Sequence, residues 1–200
     1  MRRRIIKNDM KSLIIQTALD MIEEKHGTEE LNLREIARRA GCSAPNVYNY
    51  FIDVDDLLTN ARAVASRYFL QSRPGDELLE PEARLRIITK RLIDAVIEKP
   101  SWYRFVYFRR KVSDRQSFAE EIKEMVGTDI TELIMQVSAG SLSYKDAMQG
   151  RRIIHSFLHG ELCKLASNIF PKDEMLQYSE EIMNHIDIIL KKIIYCKSEV

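Results

Sequence analysis

Apolar residues recur along this chain at helical spacing, and most of its glycines and prolines fall at the joints between the periodic segments. Ile14, Ala18, Met21 and Ile22 form one inward stripe over about Asp9 to Lys25, and Gly27 stops it. Asn32, with Glu35 three residues on, makes a capping box for a short helix whose apolar face is Ile36 and Ala37, and Gly41 ends that helix. Ser43 then offers a hydroxyl to cap the next helix, with Pro45 in its first turn. This helix holds only about two turns, Ala44 to Asn49, with Val47 and Phe51 inward. Asp53 caps a longer one, Val54 to about Ser72, whose buried side is Leu57, Leu58, Ala61, Val64, Ala65 and Phe69, and Pro74-Gly75 closes it.

The second part of the chain repeats the pattern in longer units. Pro81 opens a helix carrying Leu85, Ile88, Leu92, Ala95 and Val96, which ends before Pro100. Ser101 caps the next. A helix from about Asp114 to Ser138 follows, with Phe118, Ile122, Met125, Ile130, Leu133, Ile134 and Val137 on its buried side and a break at Gly127. Ser143 with Asp146 starts Tyr144 to about Ile169, and the last helix runs from Lys172 to about Cys196. Their stripes are Ile154, Leu158, Leu162 and Leu165, and Met175, Tyr178, Ile182, Ile186, Ile189 and Ile193.

Two short helices joined by a turn of three or four residues are the outline of a helix-turn-helix, whose second helix enters the DNA major groove. With Val47 and Phe51 facing inward, Ala44, Pro45, Asn46, Tyr48, Asn49 and Tyr50 are left partly or wholly outward. Small apolar groups meet thymine methyls, an Asn amide pairs with an adenine edge, and Tyr hydroxyls suit phosphates. The spacing alone fits an ordinary helical corner equally well.

Glu35-Ile36-Ala37 through Ala40-Gly41-Cys42-Ser43, then Val47-Tyr48-Asn49-Tyr50-Phe51 and Leu57-Leu58, resembles the DNA-binding domain of the tetracycline-repressor-like (TetR) transcriptional regulators over roughly residues 10 to 58. The resemblance implies Asn32 or Arg34, Ser43, Tyr48 and Tyr50 on phosphates, with Ala44, Pro45, Asn46 and Asn49 near bases. One position departs from it: where family members usually carry Lys at the start of the following long helix, this chain has Val54, followed by Asp55 and Asp56. Lys99-Pro100 with Tyr103-Arg104 and Phe108, and later His159-Gly160 with Leu162 and Leu165, looks like the C-terminal domain of one TetR subgroup with a Trp-x-x-x-His-Gly pattern; His155 stands where that Trp would be. The two long C-terminal helices can pair with each other alone or with two from a second copy as a four-helix bundle, and Gly160 would permit close approach there. The resemblance implies the homodimer, with His159, Gly160, Ile182, Ile186 and Ile189 at its interface.

Composition narrows the picture further. A chain of 200 residues that is 45% hydrophobic buries a substantial core, and seven Gly and five Pro are few. The net charge of +1 says little, but Arg2, Arg3, Arg4, Lys7 and Lys11 crowd the start and Arg34, Arg38 and Arg39 sit on the first helix of the motif. Beside a helix-turn-helix, such a tail is expected to touch phosphates or the minor groove. Cys42, Cys163 and Cys196 lack the spacing of a zinc site or a disulfide framework, and no stretch approaches the ~18 apolar residues of a membrane span. A cytoplasmic location is expected.

Candidate chemistry outside the motif is sparse. Trp102, Tyr103, Phe105, Tyr107 and Phe108 place five aromatics in seven residues, a pattern of cores and of ligand walls alike. The ligand-pocket candidates are Trp102, Tyr103, Tyr107, Phe108 and His155, for an unknown effector that is largely apolar or aromatic, with Arg104 and Arg109 nearby for an anionic group. His155 and His159 have the spacing of a two-histidine metal site, but Ser156, Phe157 and Leu158 stand between them where zinc enzymes carry a Glu. They read as structural or interface residues; the alternative is a helical-bundle metal-binding protein or enzyme built on them. No Gly-rich phosphate loop or nucleophile elbow is present, so no enzyme, cofactor or metal is expected.

The expectation is an all-α protein of about nine helices: a three-helix helix-turn-helix domain over residues 1–55 and a ligand-binding and dimerisation domain over 56–200. The expected function is a dimeric, ligand-responsive transcriptional regulator, a repressor by the usual family mode, released from a palindromic operator by a small effector.

Overall fold

The computed structural model describes residues 7–70, 73–108, 130–167, 170–171 and 173–195. Among them are nine α-helices, one short 3-10 helix and no strand, divided between two compact units. The described part of the first unit is residues 7–68 with 101–108, and that of the second is the remainder.

The first unit contains α1 (Lys7–Glu24), α2 (Leu33–Arg39), α3 (Ala44–Val47), nearly all of α4 (Val54–Leu70) and nearly all of α6 (Pro100–Phe108). Its core joins Ile14, Ala18, Leu19, Met21 and Ile22 of α1 to Ile36 and Ala37 of α2, Val47 of α3, Phe51, and Leu57, Ala61 and Ala65 of α4. Each such large side chain contributes roughly 1.5–3 kcal/mol on leaving water, which is why helices as short as α2 and α3 persist in a tertiary setting.

The end of α1 differs from the glycine stop its sequence predicts. His26, not Gly27, takes the left-handed conformation, with φ 58°. Its N–H donates to Glu23 O at 3.3 Å and that of Gly27 to Ile22 O at 3.0 Å, the paired bonds of a Schellman ending. The His26 carbonyl, turned outward by this conformation, accepts from Arg104 Nη2 at 3.3 Å.

That contact is one of several holding α6 in the first unit. Glu23 Oε2 accepts the backbone N–H groups of Ser101 and Trp102, at 3.2 and 3.3 Å, so a side chain of α1 caps the exposed amides at the start of α6. Trp102 Nε1 donates to Leu19 O at 2.8 Å, and its ring meets Tyr68 edge-on at 5.4 Å. Arg62 of α4 lies over the Phe105 ring at 5.2 Å. Trp102, Tyr103, Phe105 and Val106 are buried. Trp102, Tyr103 and Phe105 of the aromatic run are therefore core of the first unit, whereas Tyr107 is half-buried and Phe108 exposed.

The second unit contains a 3-10 helix (Asp76–Leu78), α5 (Pro81–Glu98), α7 (Ile130–Val137), α8 (Tyr144–Ala166) and α9 (Met175–Tyr195). α5 packs against α7, α8 and α9, and α8 packs against α7 and α9. The Ser143 hydroxyl accepts from Asp146 N at 3.2 Å, as the capping box predicts. Asp76 is buried, and its carboxylate accepts from Arg91 Nη1 at 2.6 Å and Arg73 N at 2.7 Å. The Arg91 guanidinium above all holds that carboxyl below the usual carboxylate range. The stabilisation is therefore present above the ordinary carboxylate pKa and is lost as pH falls through the lowered one. α8 and α9 approach most tightly at Gly150, where an added Cβ would lie 2.8 Å from Ile193 Cγ2.

The stripe of α9 is rotated from the one read in the sequence. Met175, Ile182, Met183, Ile186, Leu190 and Ile194 are buried, while Tyr178, Ile189 and Ile193 are only half-buried. The expected helix over 114–138 is described only from Ile130, with Leu133 and Ile134 buried as expected; Phe118, Ile122, Met125 and Gly127 lie outside the described residues.

Candidate nucleic-acid interface

The turn between α2 and α3 is fixed by backbone chemistry. Asn32 Oδ1 accepts from Arg34 N at 2.9 Å and so caps α2. Glu35 does not close the predicted box, because its carboxylate takes Lys25 Nζ at 3.0 Å and Arg39 Nη2 at 3.0 Å, tying α2 to the end of α1. Arg39 also pairs with Glu24. Lys25, followed by Arg39, holds the Glu35 carboxyl below its ordinary range, and Arg39 does the same for Glu24. Arg39 is thus engaged in structure, whereas Arg34 and Arg38 are exposed.

Gly41 supplies φ 72°, which a side chain would strain. The N–H of Gly41 donates to Arg38 O at 3.2 Å and that of Cys42 to Ala37 O at 2.9 Å, so the carbonyls at the end of α2 are satisfied within the turn. Ser43 is the N-cap residue of α3 in extended conformation, yet its hydroxyl makes no capping hydrogen bond, contrary to the sequence expectation. Its carbonyl accepts from Asn46 N at 2.9 Å, and the hydroxyl is left exposed on the surface.

α3 is four residues long and continues as turns, with the N–H of Asn49 on Asn46 O at 3.2 Å and that of Phe51 on Val47 O at 3.1 Å. The expected two-turn helix to Asn49 is therefore a single regular turn. Val47, at 0% exposure, and Phe51, at 2%, anchor it. Lys11 of α1 sits over the Phe51 ring at 5.5 Å, adding a cation–π contact to the anchor. Around these two residues Pro45, Tyr48 and Asn49 are exposed, and Ala44, Asn46 and Tyr50 are half-buried. Tyr48 is 58% exposed. Asn49 Nδ2 donates to Asn46 Oδ1 at 3.0 Å, which sets the two amides side by side at the outer edge of the segment. Burial pushes the neighbouring Cys42 thiol pKa up, so the thiol stays protonated there.

Asp53 Oδ1 accepts from Asp56 N at 2.8 Å, and Asp56 Oδ2 accepts from Ile52 N at 2.9 Å. This reciprocal cap accounts for the acidic start of α4, and Val54 stands exposed at the position where the resemblance would place Lys.

The site is an anchored turn that presents hydroxyls, amides and small apolar groups to one side, which is the chemistry for phosphates and base edges. Asn32, Arg34, Ser43, Ala44, Pro45, Asn46, Tyr48, Asn49 and Tyr50 all lie in this α2–turn–α3 segment, with none of them fully buried. Lys11 and Lys25, which brace it from α1, carry no local sequence signal because their partners are distant in the chain.

These features define a helix-turn-helix. Residues 14–61 match the family model described as "Bacterial regulatory proteins, tetR family", and that segment of the chain is similar to the domain it describes. The whole fold is similar to that of a TetR-like transcriptional regulator from Rhodococcus sp. RHA1. In that comparison the TM-score is 0.66 at 16% identity, with 97% of this chain and 100% of that chain covered. It is also similar to a TetR family transcription regulator from Marinobacter aquaeolei VT8, with TM-score 0.56, 18% identity and 97% of each chain covered. No curated protein matches the chain. The matched model describes regulatory proteins, and both similar structures are described as transcription regulators.

The other expected site residues divide between the two units. Trp102 and Tyr103 are buried in the first unit, Tyr107 packs tilted against Tyr103 with ring centroids 4.4 Å apart, and Phe108 is exposed, whereas His155 belongs to the second unit. Trp102 is bound into the core by its indole N–H and Tyr103 is enclosed at 1% exposure, so these two are structural. Of the expected interface residues, Ile182 and Ile186 are 1% and 3% exposed within the single chain, and they are core for the same reason. Gly160 is exposed with nothing within 4 Å of an added Cβ, and His159 and Ile189 are half-buried. No helix among the described residues is long and apolar enough to cross a membrane.

Proposed function

We propose that the protein is a cytoplasmic, homodimeric transcriptional repressor that binds a palindromic operator through α2 and α3 and leaves it when a small effector binds. The observation that supports this most is the outward display of Pro45, Asn46, Tyr48 and Asn49 around an anchor of Val47 and Phe51. In this reading Asn32 or Arg34, Ser43, Tyr48 and Tyr50 take phosphates, while Ala44, Pro45, Asn46 and Asn49 meet bases. The basic residues before α1 add sequence-independent attraction. The DNA-reading function lies within residues 1–55, and effector binding and dimerisation lie within 56–200.

Two copies related by a two-fold axis read half-sites about one DNA turn apart, ~34 Å. The surface of α8 around His159 and Gly160, with Ile189 of α9, is the face we assign to dimerisation. For the effector, largely apolar or aromatic, the side chains of the 102–108 run not spent in the core are Tyr107 and Phe108. Release requires that the effector bind the non-DNA conformation more tightly, since equal affinity for both shifts nothing.

The test is a fluorescence-anisotropy titration of the full chain against DNA fragments from around its own gene at two salt concentrations. Binding to one fragment that outlasts the others at higher salt is the expected result. Weak, equal binding that vanishes with salt would leave only the electrostatics of the basic tail and would defeat the proposal.

A further inference from the structure

On α8, His155, His159 and Cys163 follow one another at intervals of four on one side of the helix. The two imidazole planes are nearly parallel, 10° apart with centroids 6.0 Å apart. Cys163 Sγ lies 3.7 Å from His159 Nε2. A tetrahedral zinc ion bound to one thiolate at about 2.3 Å and one imidazole at about 2.0–2.1 Å holds those two atoms about 3.6 Å apart. The pair thus already stands close to the separation such an ion would impose.

One chain does not complete the coordination. Among the described residues no three His, Cys, Asp or Glu side chains gather closely enough to hold a metal. His159 and Cys163 are themselves half-buried. Gly160 lies between His159 and Cys163 in sequence, is exposed, and meets nothing within 4 Å of an added Cβ. A second helix can approach closely there, and a two-fold axis through the gap would double every donor.

We propose that His159 and Cys163 form half of a binding site for a borderline divalent cation such as zinc, completed by the same two residues of a second copy. This rests on the dimer reading given above. The resulting set is two thiolates and two neutral imidazoles, a donor set suited to zinc. Each of the two thiols loses its S–H proton to water as its metal–sulfur bond forms, so two protons leave per cation. The two thiolate charges then cancel the two charges of the ion, and the neutral complex avoids the large desolvation cost of burying a net charge between subunits. Such a cation would stabilise the dimer without touching the DNA-reading face, and would make assembly respond to metal supply.

The experiment uses the full chain, stripped with a chelator and titrated with cobalt(II) as a coloured stand-in for zinc, while light scattering reads the mass. We expect one cobalt per two chains and the visible absorption of tetrahedral thiolate-bound cobalt. That absorption should vanish in Cys163→Ser and in His159→Ala and persist in Cys42→Ser, with helical content by circular dichroism unchanged in all three. A protein that stays dimeric but gives no thiolate–cobalt absorption overturns the cation site and leaves the dimer standing. A protein that is monomeric with and without cobalt overturns the dimer reading, and the shared site with it. Cobalt bound one per chain, or lost in His155→Ala but kept in Cys163→Ser, overturns the assignment of these two ligands.

Discussion

α3 and α6 are both short helices held in the same compact unit, and they use their side chains in opposite ways. α3 buries Val47, with Phe51 just beyond it, and leaves Pro45, Tyr48 and Asn49 exposed and Asn46 half-exposed. α6 buries Ser101, Trp102, Tyr103, Phe105 and Val106, and its polar groups are satisfied from α1 by Glu23 and the Leu19 carbonyl. A segment that reads DNA must keep its donors and acceptors available to a partner. A segment rich in aromatics is more valuable to a small core as bulk, with each ring burying a large apolar area.

The contrast predicts where substitutions cost stability and where they cost binding. The largest effects belong to the anchors: Phe51→Ala and Trp102→Ala should each destabilise the protein by about 3–5 kcal/mol, read by urea denaturation. If Trp102→Ala were neutral, α6 would not be part of the core. Glu23→Ala removes the acceptor for two backbone N–H groups and should cost about 0.5–2 kcal/mol in the same measurement, as the loss of a helix cap does. The smallest change in stability should come from Tyr48→Phe, within about 0.5 kcal/mol. Its operator affinity should nevertheless fall roughly fivefold, about 1 kcal/mol for a hydroxyl hydrogen bond. The salt dependence should not change, because the hydroxyl carries no charge to a phosphate.

Much of this architecture was legible in the sequence. The stripe of Ile14, Ala18, Met21 and Ile22, the turn at Gly41 and the cap at Asp53 all depend on interactions within a few residues, and the residue types specify them. Partners distant in the chain are harder to read. Periodicity reveals that Ile182 and Ile186 are buried, but not whether the burying partner is this chain or a second copy. The aromatic run at 102–108 likewise declares an apolar surface without saying which unit it joins; the capping acceptor Glu23 lies far away in the chain. Ser43 carries the residue type of a capping hydroxyl and the extended backbone of an N-cap, yet the cap is made by its carbonyl alone. His26 takes the left-handed position expected of Gly27. Cys163 has no ligand spacing to the other cysteines, and its side-chain contact is with His159, one turn earlier.

The central claim is that the outward residues of α3 read bases. It is tested most directly by selecting binding sites from a random double-stranded DNA pool, with the full chain and with its Asn46→Ala variant side by side. The account predicts that the unaltered chain enriches a palindrome with half-sites about one helical turn apart. The variant should enrich the same palindrome with preference relaxed at one symmetric base position, a loss of about 1–3 kcal/mol of discrimination. Enrichment of no motif by the unaltered chain, or of an identical motif by both proteins, would contradict it.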